Sequence, residues 1–266
     1  MQNKRLKISV IKVGGSLLEE QQFLPWLKEL SHFLKSETSV LVHGGGKEIT
    51  ALSARLGIKS HFIHGRRVTD PKMMEVVEMV LSGKVNPYIV SQLNLLGVRA
   101  LGLSGRDREM VQAKAIPALG QVGKPNKIKS ELIRSFLLQG LTPVFSSVAQ
   151  DSLGKALNVN ADEMAASIAQ GLAADRLVLF TDVPGILDSK GKTISLITLD
   201  EGKKLIKEKI ITGGMIPKCE SAFEALKKGV KQIWILEGRL PLKKSKGTLI
   251  VKKFSNHFKQ PFLEIK

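Results

Sequence analysis

Hydrophobic and polar residues follow one another along this chain in a pattern typical of an α/β protein. Short apolar runs rich in β-branched residues predict buried strands, and longer segments with apolar residues every three or four positions predict amphipathic helices. The predicted strands cover residues 8–13, 39–42, 98–101, 142–146, 177–181 and 232–236. The predicted helices include 22–34, 47–56, 71–81, 85–95, 130–138, 161–171 and 215–227. This alternation favours an open, mostly parallel sheet sandwiched by helices.

The domain organisation has to be inferred from these elements. The 266 residues are enough for one large domain or for two lobes. The chain shows no low-complexity tract, long linker or repeat of fixed period. A boundary fits best near Ala173-Ala174-Asp175, before the strand at 177–181. We therefore expect an N-terminal lobe over 1–174 and a C-terminal lobe over 175–266, ending in a basic tail or short added strand over 252–266.

Composition excludes several classes of protein. No apolar run approaches the roughly eighteen residues needed to cross a bilayer, and no signal-peptide core follows the basic N-terminus. The one cysteine, Cys219, rules out an internal disulfide and is typical of a reducing compartment. We therefore expect a cytoplasmic protein with no membrane partner.

The formal net charge of +17 indicates that anions are favoured partners. Residues 201–266 hold 16 Lys and Arg against 6 Asp and Glu. Nucleic acid, an anionic small molecule and a solvated basic surface are the alternative explanations. One tyrosine, two tryptophans and no recognition motif argue against nucleic acid. We expect no nucleic-acid partner.

Two glycine-rich turns follow the first two predicted strands, Val13-Gly14-Gly15 and His43-Gly44-Gly45-Gly46. Bare backbone N–H groups beside a helix N-terminus form a cradle for anions. Lys12, inside the first strand, is costly to bury unless an anion or a carboxylate meets it. The alternative is an edge-strand lysine that reaches water. Together the two turns and Lys12 indicate phosphate chemistry.

The second turn matches none of three similar glycine motifs. The spacing of a Walker A loop is absent, and Glu48 follows Lys47. A lipase-type oxyanion hole needs a G-x-S-x-G nucleophile, which the segment ending at Arg106 does not complete. A first-strand dinucleotide fingerprint is also missing. What remains is a nest of N–H groups for a carboxylate or a transferring phosphoryl group.

Further segments carry candidate polar groups. In Asn158-Val159-Asn160-Ala161-Asp162, Asp162 is either an ordinary residue of a helix start or an anchor for lysine ammonium groups. Gly213-Gly214 opens another helix, with Lys218 one turn in. Arg67 is either a surface residue or a bidentate partner for a substrate carboxylate. The residues after the strand at 177–181 lie where open α/β sheets bind ligands. The histidines show no metal-type spacing.

These motifs, in this order, resemble the amino acid kinase family. The resemblance runs from about Val10 to about Val251. Its most specific stretches are Lys12-Val13-Gly14-Gly15, His43-Gly44-Gly45-Gly46, Arg67-Val68-Thr69-Asp70, residues 74–80, Asn158-Val159-Asn160-Ala161-Asp162 and Gly213-Gly214-Met215-Ile216-Pro217-Lys218. Within the family, the motifs are most similar to those of members that phosphorylate the γ-carboxylate of N-acetyl-L-glutamate for arginine synthesis.

The resemblance implies a role for each motif. Lys12 and Lys218 would stabilise the γ-phosphoryl group during transfer, and Asp162 would orient both lysines. The acyl-amino acid would be held in the N-terminal lobe by Gly45, Gly46, Arg67 and Asn158. ATP would be held mainly in the C-terminal lobe, by Lys12, Gly14, Gly15, Asp182, Gly185, Ile186, Leu187, Ile210, Ile211, Thr212, Gly214 and Lys218. Mg²⁺ would arrive on ATP rather than in a carboxylate cage of the protein.

Two features depart from the usual family pattern. His64-Gly65-Arg66-Arg67 replaces the usual Asn-Gly-Leu-Arg, which places an additional arginine near the acceptor. Lys12 lies close to the first residue, without room for the N-terminal helix that links dimers into arginine-inhibited hexamers. We therefore expect a homodimer with little arginine inhibition, although residues 102–107 resemble the sensitive members. The alternatives are a sister kinase for another acyl or carrier-linked amino acid (aminoadipate or glutamate), and a non-catalytic nucleotide or anion sensor.

Overall fold

The computed structural model describes residues 6–15, 22–63, 65–239, 241–242 and 245–254. The strands are β1 Ser9–Val13, β2 Ser39–His43, β3 Phe62–Ile63, β4 Arg66–Arg67, β5 Ala100–Ser104, β6 Val111–Ala115, β7 Val122–Ile128, β8 Thr142–Ser146, β9 Val148–Gln150, β10 Ala156–Val159, β11 Arg176–Thr181, β12 Leu196–Thr198, β13 Gln232–Glu237 and β14 Gly247–Val251. The helices are α1 Phe23–Ser36, α2 Gly46–Arg55, α3 Pro71–Glu78, α4 Asn86–Leu95, α5 Ser130–Leu138, α6 Ala161–Gly171, α7 Leu199–Lys207 and α8 Met215–Lys227.

One eight-stranded sheet runs through the structure in the order β12-β14-β13-β11-β1-β2-β8-β5. Every neighbouring pair is parallel except β13 and β14. The predicted α/β class and mostly parallel sheet are therefore confirmed. Strands β6, β7, β9 and β10 form a small closed barrel, and β3 pairs with β4 in a short hairpin.

The central strand β1 shows why both faces of the sheet are covered by helices. All five of its residues are buried. Side chains on a strand alternate between the two faces, and accordingly Val10 packs in one core cluster while Ile11 packs in the other. The first cluster includes residues of α6 and α8, and the second includes residues of α1, α3 and α4. Lys12 is thereby placed on the same side as Val10, facing α6.

The six predicted strands are all present: 142–146 has the observed bounds of β8, and the ends of the other five are shifted by at most three residues. The predicted helices at 130–138, 161–171 and 215–227 have the observed bounds of α5, α6 and α8. Asp70 caps α3 as expected, since its carboxylate accepts a hydrogen bond of 2.8 Å from the Met73 N–H. The break predicted between helices at 82–84 is wrong, because a π-helical segment, Met79–Val85, joins α3 directly to α4.

Several elements have no counterpart in the sequence prediction. Barrel strands β6 and β7 are partly exposed and polar, and β7 contains Pro125 beside an irregularity in its pairing with β6. Prolines are tolerated in strands mainly at such irregular positions. Helix α7 was missed although Thr198 and Glu201 form a reciprocal capping box at its start. Strand β14 was missed because it follows a lysine-rich stretch. Residues 255–266 of the predicted basic tail lie outside the described residues.

The main sheet passes without interruption across the proposed lobe boundary at residue 174. Strands β1, β2, β8 and β5 come from the N-terminal half, and the other four come from the C-terminal half. The two halves meet where β1 pairs with β11. Asp175 adds a contact there, since its carboxylate accepts a hydrogen bond of 3.0 Å from the Ile8 N–H. In the described parts of the chain, the helices are too short or too polar to cross a membrane.

Gly202 on α7 provides a test of the packing between α7 and α8. A Cβ atom at this position would lie 2.4 Å from Cζ of Phe223 in the core. Alanine favours a helix over glycine by about 1 kcal/mol, whereas overpacking a core costs about 1–3 kcal/mol. We therefore expect Gly202→Ala to lower the free energy of unfolding, measured by urea denaturation.

Gly83→Ala is the matched control, because a Cβ at Gly83 meets no atom within 4 Å. This variant should unfold at the wild-type urea concentration or slightly above it. Equal midpoints for the two variants would show that α7 does not pack on Phe223 as described.

Candidate active site

A cavity of about 250 Å³ opens at the carboxyl edge of the sheet, where β1 and β2 end. Parallel strands end at one edge, so the turns that follow them meet there. The cavity brings together eight of the residues singled out from the sequence: Lys12, Gly15, Gly45, Gly46, Arg67, Asn158, Asp162 and Lys218. Elements far apart in the sequence thus converge on one site.

Asp162 lies between two lysines at this cavity. Its Oδ1 is 2.9 Å from Nζ of Lys12 on β1, and its Oδ2 accepts a hydrogen bond of 2.6 Å from Nζ of Lys218 on α8. Asp162 and Lys12 are only 7% and 8% exposed, so both charges depend on each other rather than on water. One carboxylate thereby holds two ammonium groups side by side.

The electrostatics of the site keep Asp162 ionised. Burial by itself would raise the pKa of Asp162, but the charges and hydrogen bonds of Lys12 and Lys218 outweigh it and hold the pKa well below its ordinary value. The Asn160 side chain caps α6 by accepting hydrogen bonds from the N–H groups of Asp162 and Glu163. Two ammonium groups against one carboxylate leave the cluster positive, as a phosphate site requires.

The two glycine turns touch each other backbone to backbone. A Cβ on Gly15 would lie 3.0 Å from the Gly46 nitrogen, and a Cβ on Gly45 would lie 2.7 Å from Cδ2 of Leu81. Only glycine allows both approaches without a shift of the neighbouring atoms. Gly46 begins α2, so the positive end of that helix faces the cavity. Among the described residues, the Gly45 and Gly46 N–H groups donate to no other group of the chain.

Arg67 also lines the cavity; it is 7% exposed, and its guanidinium lies 4.7 Å from the centre of the Phe62 ring. It donates to Ser60 Oγ, and through Nη2 to the Gly46 carbonyl and to Thr50 Oγ1, both at 2.8 Å. These three hydrogen bonds from Arg67 therefore go to groups of the protein itself. Burial lowers the pKa of Arg67 from its ordinary value. Arg67 thus orders α2 and the hairpin as well as lining the cavity.

Asn158, on barrel strand β10, lines the cavity beside Arg67. Its Nδ2 donates a hydrogen bond of 3.0 Å to Thr69 Oγ1, and that hydroxyl donates to the Arg67 carbonyl. The small barrel is therefore what orients this amide toward the site.

An ion pair between Arg66 and Glu163 borders the cavity and was not predicted. The Arg66 guanidinium donates to both carboxylate oxygens of Glu163, next to Asp162 on α6. The pair fastens the β3–β4 hairpin to the helix start. In the sequence, only the departure of Arg66 from the family pattern pointed to this pair, and that departure was interpreted as a feature of the acceptor site. The neighbouring departure, His64, lies outside the described residues.

The predicted ATP-binding residues are spread over more than one place. Gly214 and Lys218 line a second cavity of about 770 Å³, which also contacts Arg66, Asp162 and Glu163. Gly14 is buried beside Gly15. The side chains of Ile186 and Ile211 are in the core, and the Ile186 N–H donates to Thr248 Oγ1 at 2.8 Å. Neither cavity is lined by the remaining candidates: Asp182, Gly185, Leu187, Ile210 and Thr212.

The site offers no obvious ligand set for a metal ion. Within the described ranges, no three His, Cys, Asp or Glu side chains cluster closely enough to bind one. Asp162 is the one carboxylate among the described residues that line the smaller cavity, and both of its oxygens already face lysines.

Comparison with known proteins agrees with this geometry. The sequence profile described as "Amino acid kinase family" matches residues 7–237. The chain belongs to the amino acid kinase family. An acetylglutamate kinase of Endomicrobium trichonymphae is 43% identical over 247 residues, covering 92% of this chain and 99% of that protein. An acetylglutamate kinase of Desulfitobacterium hafniense is 43% identical over 258 residues, covering 88% and 85%.

A solved structure from Streptococcus mutans UA159 has the same architecture as this amino acid kinase. It superposes with a TM-score of 0.82 at 32% identity, covering 92% of this chain and 99% of that one. The family resemblance inferred from the sequence motifs is therefore confirmed, and so is the fold that it implied.

The Arg66–Glu163 pair gives a prediction about pH. Burial raises the pKa of Glu163 above its ordinary 4.5, while Arg66 opposes that rise. In Arg66→Leu the pKa should rise further, so that the native state holds a proton that the unfolded chain releases. The free energy of unfolding should then fall more steeply than in wild type as pH rises from about 4 to about 7.

The double variant Arg66→Leu with Glu163→Gln is the control, because it has no carboxylate at position 163 to titrate. Its pH profile of urea unfolding should lose the additional slope. Parallel profiles for the wild type and Arg66→Leu would contradict a coupled pair.

Proposed function

We propose that this amino acid kinase transfers the γ-phosphoryl group of ATP to the γ-carboxylate of N-acetyl-L-glutamate. The observation that carries the proposal is the bridge from Asp162 to Lys12 and Lys218, in a cavity that Gly45 and Gly46 also line. Curated relatives at 43% identity over most of the chain are named acetylglutamate kinase, which supports the same acceptor.

The chemistry needs charge neutralisation more than proton transfer. An oxygen of the acceptor carboxylate attacks the γ-phosphorus, and the bond from that phosphorus to the β,γ-bridging oxygen breaks to release ADP. The attacking carboxylate is already ionised at neutral pH, with a reference pKa of about 4.3, so no general base is needed. Catalysis then rests on positioning and on stabilising the charge of the phosphoryl oxygens. Lys12 and Lys218 would supply two fixed positive charges for those oxygens.

The acceptor would be held by groups on the N-terminal side of the cavity. The N–H groups of Gly45 and Gly46 can receive a carboxylate, and they face the cavity at the positive end of α2. Arg67 and Asn158, which line the same cavity, offer cationic and amide donors. The cavity of about 250 Å³ is large enough for an acyl-amino acid.

ATP would approach from the C-terminal side, along the second cavity beside Gly214 and Lys218. We propose the same division of labour for the two halves, 1–174 for the acceptor and 175–266 for the nucleotide. The segments 182–187 and 210–212 remain proposed contacts for the nucleotide. Mg²⁺ would enter on ATP, liganded mainly by phosphate and water, because the cavity carboxylate is already neutralised by lysines.

Two alternatives can be separated by experiment. A sister kinase would use another acyl or carrier-linked amino acid, and the departure at Arg66 is the feature that would favour it. However, the Arg66 charge is matched by Glu163 and so is not free to select an additional anionic group. A non-catalytic sensor would not need to keep Lys12, Asp162 and Lys218 assembled around one cavity.

The proposed acceptor predicts which amino-acid substrates support activity. A coupled assay for ADP release should show turnover that requires N-acetyl-L-glutamate, with free L-glutamate and L-aspartate poor substrates. The physical reason is that an α-ammonium group would enter a cavity that already carries two lysines and Arg67. Equal turnover of free glutamate would overturn the acceptor assignment, and no turnover with any acyl-amino acid would favour the sensor.

The charge cluster predicts the effect of removing each member. Lys12→Ala and Lys218→Ala should each lower kcat by roughly 10²–10³, the usual cost of losing one preorganised electrostatic group. Asp162→Asn should also lower kcat, because the two ammonium groups would face each other without a carboxylate between them. Lys231→Ala is the control, since Lys231 pairs with Asp175 away from the cavity. A variant of Lys12, Lys218 or Asp162 that keeps half of the wild-type kcat would exclude that residue from the mechanism.

A further inference from the structure

A buried polar pair lies directly behind the second glycine turn. His43, the last residue of β2, is 1% exposed, and its Nδ1 is 2.9 Å from the carbonyl oxygen of Gly44. The Nδ2 of Asn86, which is 5% exposed, is 3.0 Å from Nε2 of the same ring. Neither side chain lines the cavity, so neither has a place in the chemistry proposed above.

The contacts determine which ring nitrogen carries the proton. Asn86 Nδ2 also lies 2.8 Å from the Val144 carbonyl oxygen, which can only accept a hydrogen bond. The amide nitrogen must therefore face both Val144 and His43, and Nε2 of the ring accepts from it. The proton of the neutral imidazole is then on Nδ1, where it is donated to the Gly44 carbonyl.

Two features of the fold make room for this arrangement. A Cβ on Gly102 would lie 2.4 Å from Asn86 Oδ1, so only glycine on β5 leaves space for the amide. Asn86 begins α4 immediately after the π-helical segment, whose Leu81 packs on Gly45. π-Helical segments are rare and are frequently found at functional sites.

The hydrogen bond to Gly44 has a consequence for the next N–H group. The C=O and N–H of a trans peptide point in opposite directions, and the described residues contain no cis peptide. Holding the Gly44 carbonyl against the buried ring therefore turns the Gly45 N–H away from the core, toward the cavity that Gly45 lines. That N–H donates to no other group in the described chain.

We propose that His43 and Asn86 are positioning residues that aim the Gly45 N–H at the acceptor carboxylate. The identity of the acceptor rests on the proposed function. The hydrogen bonds from Asn86 to His43 and from His43 to the Gly44 carbonyl, which we call the relay, do not depend on it. A neutral ring is essential, because an imidazolium would place an N–H opposite the Asn86 amide. Burial lowers the pKa of His43 to about 4, against the opposing effect of the Gly44 hydrogen bond, so the ring stays neutral in the working range.

The first test reads the tautomer directly in the wild-type protein without substrate. Long-range ¹H–¹⁵N correlation spectra of ¹⁵N-histidine-labelled protein should show one non-titrating histidine, protonated on Nδ1 and unprotonated on Nε2, between about pH 6 and pH 8. Its signals should be absent from His43→Asn. A ring protonated on Nε2, or one that titrates in this range, would overturn the proposal whatever the enzyme phosphorylates.

The second test separates aiming from general loosening of the core. His43→Phe keeps the ring volume but loses the donor, and should lower kcat/KM for the acceptor by about 10²-fold, the scale for a misplaced catalytic group, while KM for ATP stays near wild type. His43→Asn restores an N–H donor near the Nδ1 position and should recover much of that loss. Equal losses for the two variants would contradict the proposal.

Ser82→Ala is the matched control. It removes the hydrogen bond of 2.9 Å between the π-helical segment and Ser146 without touching the relay. It should lower the unfolding midpoint but leave KM for the acceptor unchanged; a loss of kcat/KM as large as that of His43→Phe would assign the effect to loosening. If His43→Phe does not fold, Asn86→Leu gives the same comparison. If the wild-type protein is inactive on acyl-amino acids, only the proposed function is contradicted, because the tautomer measurement needs no substrate.

Discussion

The structure of the site depends on one carboxylate held between two ammonium groups. Lys12 comes from the central strand and Lys218 from a helix more than two hundred residues later, and without Asp162 their charges would repel each other inside a water-poor edge of the sheet. The cost of burying charge is several kcal/mol per ion unless a partner is in place. Asp162 is that partner for both lysines. Its position at the start of α6, capped by Asn160, therefore constrains the register of β1, α6 and α8 together.

Around this cluster the chain uses backbone rather than side chains to present donors. The glycine turns after β1 and β2 come within van der Waals contact of each other. A side chain on Gly15 would fill the space between them, and one on Gly45 would collide with Leu81. Behind these turns, His43 and Asn86 form a buried hydrogen-bonded pair at a position where apolar side chains would be usual. Polar groups buried so completely are tolerated when their hydrogen bonds are made, and here those bonds also orient a peptide.

Much of this arrangement was predictable from the sequence. Lys12, Gly45 and Lys218 stood out because each lies in a strand–glycine–helix or glycine–helix pattern, whereas Asp162 stood out as a carboxylate at a predicted helix start. The parallel sheet followed from apolar runs that alternate with amphipathic helices. Three features could not be predicted. Barrel strands β6 and β7 carry no continuous apolar pattern, because they are partly exposed, and β9 and β10 are only three and four residues long. The π-helical segment has no compositional signal of its own.

The third unpredicted feature, the Arg66–Glu163 pair, joins residues 97 positions apart, and spacing in the sequence says nothing about such a contact. The same limit applies to the nucleotide side. Ile186 and Ile211 were singled out as ATP contacts, yet their side chains belong to the core. For such residues a sequence motif predicts where the backbone lies, whereas tertiary packing determines which of their atoms a ligand can contact.

The continuous ladder between β1 and β11 has a mechanical consequence. Because parallel backbone hydrogen bonds join the two halves along the middle of the sheet, the halves cannot separate as rigid bodies on a flexible hinge. Any approach of the two sides must occur as a change in the twist of the sheet itself, a deformation shared among many bonds and reversed without breaking them. Lys12 lies on β1 itself, paired with Leu179 of β11, and is therefore close to the line about which such a twist would turn.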